Sequence, residues 1–243
     1  MSSKSSAIIK TLISISSIFF IIIIFFTPLA YYIFNLDYYE NLYENNGVFS
    51  VLDKDDVLNV TVKIFNFFKY RSELVPSDHE IQVRFSDKSM STVAVFTPDE
   101  ISHLEDVRSL LLKIFILYCG SIVITIAAIF LIIRRETGNY LKNSGLIFII
   151  SSGTVLFFIL LLYFLGNNFP VLFDNFHRIF FPQGNYTFPA GSLIITLFPF
   201  GFFYDFFTRI ILSSAVLSAL ILILGMSFVT AGRLKKRLKS GGF

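Results

Sequence analysis

The 243-residue sequence has no tryptophan, one cysteine and three histidines, and each scarcity narrows what the chain can be. A single cysteine, Cys119, excludes an intrachain disulfide and any paired-cysteine metal site. It lies inside an apolar run with no base beside it in sequence, which reads as an unreactive thiol. Glycine-rich phosphate loops are missing, and so is a G-x-S-x-G nucleophile elbow. Charge is also sparse: 15% of residues are charged and the net charge is +3. No basic stripe exists of the kind that binds nucleic acid. No internal repeat is evident.

What the sequence does have is apolar length. Hydrophobic residues make up 54% of the chain and 31 residues are phenylalanine. Four runs carry no charge: Thr11 to Leu36, Ile114 to Ile133, Gly145 to Leu165 and Ile210 to Gly232. At a rise of about 1.5 Å per residue each can cross a hydrocarbon core of ~30 Å as a helix. Helix is the required form, because an open strand in lipid leaves backbone N–H and C=O groups unpaired. The first run is too long for a cleaved signal peptide and continues into the interfacial tyrosines of "TPLAYYIF", which predicts a retained helix.

The charges between these runs predict an orientation. Lys4 and Lys10 precede the first run; Arg134, Arg135 and Lys142 follow the second; Arg233, Lys235, Lys236, Arg237 and Lys239 follow the fourth. Every acidic residue except Glu136 lies in the other two intervals. By the positive-inside rule the termini and the middle loop are cytoplasmic. The expected layout is a mainly α integral membrane protein with transmembrane helices at 11–34, 109–133, 145–165 and 206–232. A small α+β extracellular cap at 35–108, a cytoplasmic loop at 134–144, an extracellular interfacial segment at 166–205 and a basic cytoplasmic tail at 233–243 complete it.

Within the first external interval, Val57, Leu58, Thr61, Ile64, Phe65 and Phe68 recur at helical spacing behind the acidic Asp53 to Asp56, predicting an amphipathic helix. Ile81, Val83 and Phe85 alternate with polar residues before "SDKS" and "TVAVF", predicting a strand pair. His79, in "PSDHE", reads as a solvated loop histidine. In "FTPDEISHLEDVRSLL", Thr97 and Glu100 form a T-x-x-E capping box with Pro98 at the first helical position. A helix starting there runs directly into the second span. His103 lies six residues, or about 9 Å, before Ser109, where that apolar run begins, near the headgroup layer. Asp106 shares its face at i+3, positioned to orient or help charge the imidazole, whereas Arg108 projects elsewhere.

The second external interval, beginning "GNNFPVLFDNFHRIFFPQGNYTF", is too apolar for a solvated loop and too interrupted by Gly and Pro for a fifth span. An interfacial or re-entrant element fits it. Helical spacing predicts that Leu172, Phe173, Phe176, Phe180 and Phe181 bury one side, with His177 among them. Two imidazoles at one membrane depth can serve as general base and general acid, because a histidine titrates near working pH. Two other readings use the same residues. One is a zinc hydrolase of lipid esters or amides with His103, His177 and Asp106 as ligands, although no H-E-x-x-H pair is present. The other is a non-enzymatic membrane protein with a partner-binding cap, which has no need of histidines at the lipid boundary.

The strings "FTPDEISHLEDVRSLL", "LFDNFHRIFF" and "LIITLFPFGFF" resemble the bacterial lipoprotein intramolecular transacylases, four-helix membrane enzymes with an extracellular cap. The resemblance covers nearly the whole chain in layout. It implies that His103 and His177 are catalytic and that the substrate is a diacylated lipoprotein in the membrane. The implied reaction moves an acyl chain from the sn-2 ester of the diacylglyceryl group to the α-amine of the N-terminal cysteine. No cofactor or metal is implied, and a monomer is expected. Asp106, Arg108 and Arg178 are the expected supporting residues, with Arg108 a candidate for the oxyanion. Phe173, Phe176, Phe180 and Phe181 are the expected aromatic wall that excludes water. The family pattern places a tryptophan after the Phe-His pair and acidic residues near the later Leu-Ile pair and proline; here "NYTF", "AGS" and Phe200 occupy those places.

Overall fold

The structure is a computed structural model that describes residues 3–70, 82–86, 93–136, 138–165 and 168–240. Its elements run α1 (Ser3–Tyr32), α2 (Leu36–Asn45), α3 (Val48–Val51), α4 (Lys54–Tyr70), β1 (Gln82–Arg84), β2 (Val93–Val95), α5 (Pro98–Arg135), α6 (Tyr140–Leu165), α7 (Phe169–Phe180), α8 (Leu193–Leu197) and α9 (Phe200–Ser240). Among the described residues four helical stretches are long and apolar enough to cross a membrane: Ser6–Tyr32, Pro98–Arg135, Tyr140–Leu162 and Phe200–Lys235. The chain is a mainly α, multi-pass membrane protein. It divides into two units, one of Met1–Ala30, Phe115–Leu165 and Ile210–Phe243, the other of Tyr31–Ile114 and Gly166–Arg209.

The first unit is a helix bundle that is apolar on its outside. Ile116, Val123, Ile126, Phe157, Leu160, Val216 and Leu220 are exposed, as expected where lipid is the solvent. Its interior instead buries small polar residues, including Ser16, Ser121, Ser151, Ser214 and Ser218. Small side chains let helices approach closely in a medium that supplies no hydrophobic drive to pack. Several bond back to their own helix, as Ser16 Oγ does to the Leu12 carbonyl at 2.7 Å and Ser121 Oγ to that of Leu117 at 2.7 Å. Ser151 Oγ also donates across to the Ser17 carbonyl of α1 at 3.0 Å. Helices α6 and α9 come closest at Gly145 and Gly225: a Cβ on Gly145 would lie 2.7 Å from the Gly225 carbonyl oxygen. The basic segment after the fourth apolar run continues as helix through Ser240.

The second unit has a conventional apolar core built from Tyr43, Leu52, Val57, Ile64, Leu104 and Leu197 with their neighbours. Asn35 caps α2 by accepting from the Tyr38 N–H at 3.0 Å. The Asp53 carboxylate does the same at the start of α4, accepting from Asp56 N at 3.2 Å. The buried Tyr43 hydroxyl meets Thr61 Oγ1 at 2.8 Å. Strands β1 and β2 pair antiparallel with Val83 opposite Ala94, and Arg84 ties β1 to α4 through the Asp56 carboxylate at 2.8 Å. Ile81 and His79 lie outside the described residues.

Two burial patterns differ from the periodicity. On α4 the buried residues are Val57, Val60, Thr61, Ile64, Phe65 and Phe67; Leu58 and Phe68 are only partly buried. The buried stripe turns toward Phe67, which joins the apolar core and has the Arg108 guanidinium 5.0 Å from its ring centroid. On α7 the buried side is Phe169 and His177, with Phe173 packed on both at ring distances of 6.0 and 4.2 Å. Phe176 and Phe180 are 43% and 48% exposed. The apolar face of α7 is wider than the surface it packs against, so the expected burial of Phe176 and Phe180 does not hold.

Candidate active site

Both predicted histidines lie in the second unit, on different helices, and their positions follow from how those helices begin and end. Helix α5 starts with the T-x-x-E box: Thr97 Oγ1 accepts from Glu100 N at 3.3 Å and Glu100 Oε2 accepts from Thr97 N at 2.6 Å. The second oxygen of the same carboxylate, Oε1, accepts from the backbone N–H of Ile194 at 2.7 Å. Glu100 is fully buried, and it therefore joins the start of α5 to the first turn of α8. His103 follows one turn along α5.

His177 sits in the last turn of α7. The Asn168 side chain accepts from Val171 N at the helix start, and Pro170 occupies the first turn. His177 Nδ1 lies 2.8 Å from the carbonyl oxygen of Phe173. A carbonyl can only accept, so Nδ1 carries the proton of this bond and Nε2 is the ring atom left to exchange one.

The two imidazoles stack at 25° with centroids 6.1 Å apart. They are 7% and 8% exposed, closed in by aromatic rings. Phe181 contacts both, at 4.9 Å from His103 and 5.7 Å from His177. Phe188 lies 5.6 Å from His103, and Tyr186 lies 5.2 Å from His177. Phe173 and Phe176 also touch His177. Phe180 packs on Phe176 at 4.8 Å and makes no ring contact with either histidine.

His103 Nδ1 is buried without a hydrogen-bond partner. Burial pushes this imidazole down to about 4, the neighbouring His177 adds to the effect, and Asp106 opposes it. His103 precedes the uncharged run Ile114 to Ile133 and is a neutral ring at ordinary pH, with a nitrogen waiting for a partner.

The supporting residues are placed differently from expectation. Asp106 makes no bond to His103. Its Oδ2 accepts from Gln183 Nε2 at 2.6 Å and from Asn185 Nδ2 at 2.6 Å. Arg108 is directed to the Phe67 ring. Arg178 is exposed and has no partner among the described residues. Asp205, the nearest acidic residue to the positions where the family pattern carries one, accepts instead from Asn46 Nδ2 at 3.0 Å. Glu100, Gln183 and Asn185 were not anticipated as parts of the site, whereas Tyr186 and Phe188 belong to the Phe and Tyr residues of the second external interval expected to exclude water from it. Only Glu100 carried a signal, its capping box. Among the described residues no three His, Cys, Asp or Glu side chains converge as a metal site requires, so His103, His177 and Asp106 do not assemble as a ligand set.

The family model for the lipoprotein intramolecular transacylase Lit matches residues 12–203. No curated protein matches the sequence. Among solved structures, the chain is similar to the membrane integral lipoprotein intramolecular transacylase Lit from Bacillus cereus, with a TM-score of 0.75 and 17% identity over 94% of this chain and 99% of that one. Two structures of the same protein carrying a histidine-to-arginine or a histidine-to-alanine substitution match with TM-scores of 0.69 and 18% identity. They cover 94% of this chain and 95% and 97% of theirs.

The family model over residues 12–203 makes the chain a membrane-integral enzyme of the acyltransferase class. The chain belongs to the lipoprotein intramolecular transacylase family.

Proposed function

We propose that the protein moves the sn-2 acyl chain of a lipoprotein's diacylglyceryl cysteine onto the α-amine of that same cysteine. The observation that carries this reading is the histidine pair, two stacked imidazoles 6.1 Å apart, His103 with Nδ1 unpartnered and His177 with Nδ1 engaged by the Phe173 carbonyl, which leaves its Nε2 to exchange a proton. Donor and acceptor belong to one molecule, so no acyl-enzyme nucleophile is needed. The enzyme's task is to bring amine and ester together and move protons.

The geometry supports a division of labour. His103, neutral, accepts at Nδ1 the proton that the amine sheds as its nitrogen attacks the ester carbonyl. The new C–N bond forms, and the bond between the acyl carbon and the glyceryl sn-2 oxygen breaks. His177, protonated at Nε2, gives that departing oxygen its proton. Transfer of the first proton from His103 to His177 restores the starting state. Phe173, Phe181, Tyr186 and Phe188 keep water from the ester. The site draws both histidines from one chain and works as a monomer. The charge pattern puts the termini and the 134–144 loop in the cytoplasm, with the site on the outer face of the membrane.

The test is mass spectrometry of the N-terminal lipopeptide from a diacylated lipoprotein coexpressed with the protein. Transfer within one molecule is an isomerisation, so total mass stays constant and fragmentation places the chain on nitrogen. His103→Ala and His177→Ala should each lower the N-acyl product at least a hundredfold. Absence of the shift with the unaltered protein overturns the proposed reaction, and full activity in both variants overturns the site.

A further inference from the structure

We propose that Asp106, Gln183 and Asn185 form a clasp holding the loop after α7 against α5, making Asp106 a positioning residue that acts through the aromatic wall. The inference rests on the acyl-transfer reading for its effect on reaction, but its structural part stands separately.

Three observations carry it. First, Asp106 Oδ2 takes two short bonds, both at 2.6 Å and both from side-chain amides of one loop. A carboxylate engaged by two amide donors is a charge-assisted junction, and it fixes both amides by their NH2 ends. Second, the clasp residues alternate with the rings that enclose the histidines. Phe181 precedes Gln183, and Tyr186 and Phe188 follow Asn185; these three rings lie 4.9 to 5.7 Å from His103 or His177. The loop turns tightly between them: Gly184 has φ +81°, a conformation that excludes most side chains, and its N–H reaches the Phe181 carbonyl at 3.1 Å. Third, His103 Nδ1 has no partner, so Asp106 is not bonded to that nitrogen as an orienting carboxylate would be. Asn185 is fixed closely enough that its Nδ2 also lies 3.5 Å from Ser102 Oγ, on the turn of α5 before Asp106.

A carboxylate one helical turn from a histidine has an obvious alternative role, holding charge near the imidazole. The two roles separate experimentally, because the loop amides can be removed while the charge stays. The double variant Gln183→Ala/Asn185→Ala and Asp106→Ala are compared with Asp106→Asn, which keeps an acceptor oxygen without the charge. Hydrogen–deuterium exchange of the 181–188 peptide in detergent should rise at least fivefold in the double variant and in Asp106→Ala. It should rise little in Asp106→Asn. On a diacylated lipopeptide, the clasp-deficient variants should lose tenfold or more in kcat and divert acyl groups to hydrolysis, in which water takes the acyl carbon and free fatty acid is released. In the double variant, which keeps the Asp106 charge, the pH profile of the remaining transfer should not move. Unchanged exchange in the double variant overturns the clasp. So does full transfer by the double variant combined with a shifted acid limb in Asp106→Asn. If the unaltered protein transfers nothing, the reaction reading fails while the exchange result still judges the clasp.

Discussion

His103 owes its protonation state to its surroundings. Burial among Phe181, Phe188 and the His177 ring lowers it from 6.5 to about 4, with Asp106 the opposing charge. The sign for stability follows. Between pH 6.5 and about 4 the unfolded chain takes up a proton that folded His103 refuses, so this contribution is complete above 6.5 and is lost as pH falls through that window. Thermal unfolding in detergent should therefore show a midpoint that drops from pH 7.5 to pH 5, with a shallower drop for His103→Gln. Equal slopes for the two proteins would count against a buried neutral ring. At this scale residue order put His103 and His177 each at the edge of an apolar run, and the structure brings the two rings to 6.1 Å. The partners were not legible. Asp106 has the right spacing to serve His103, but two amides about eighty positions later compete for its oxygen, at separations of 77 and 79 residues.

Among the elements, the junction of α5 with α8 shows how a local motif acquires a long-range function. The capping box alone satisfies two N–H groups at the start of α5 and is worth about 1 kcal/mol. Here the same carboxylate also takes the Ile194 N–H, 94 residues away and buried. Removing it leaves buried donors without acceptors, each costing ~1–3 kcal/mol. Glu100→Ala should accordingly destabilise the protein by about 2–4 kcal/mol, with Glu100→Gln recovering part of the loss through its one remaining acceptor oxygen. Denaturant or thermal unfolding of purified protein checks this, and a loss under about 0.5 kcal/mol for Glu100→Ala would contradict the bonding described. The start of α5 was readable because capping is local, but the link to α8 was not. Helix α7 shows the complementary limit. Its period is plain in "FPVLFDNFHRIF", yet a protein core and a lipid boundary both accept phenylalanine, so spacing could not say that Phe173 is covered while Phe176 and Phe180 stay open.

For the whole molecule, composition carries the most. Uncharged runs of this length can only be helices in lipid, and the four long apolar helices follow directly. Their packing does not follow in the same way, because lipid rewards apolar residues on every face. The approach of α6 to α9 rests on Gly145 and Gly225, two glycines in separate apolar runs that nothing in their local sequence pairs. Orientation, in contrast, should be legible from charge alone. With Glu136 as the one acid among the basic residues of the termini and the 134–144 loop, the positive-inside rule predicts that these three intervals face the cytoplasm. Cys119 is the single cysteine, so replacing it with serine gives a clean background for single reporter thiols. Asn59, Asp174 and Gly138 are exposed, and a Cβ on Gly138 meets nothing within 4 Å. In intact cells a membrane-impermeant maleimide should label Asn59→Cys and Asp174→Cys and spare Gly138→Cys until the membrane is permeabilised. The reverse pattern would place the histidine pair on the cytoplasmic side, where the proposed reaction on the outer face could not occur.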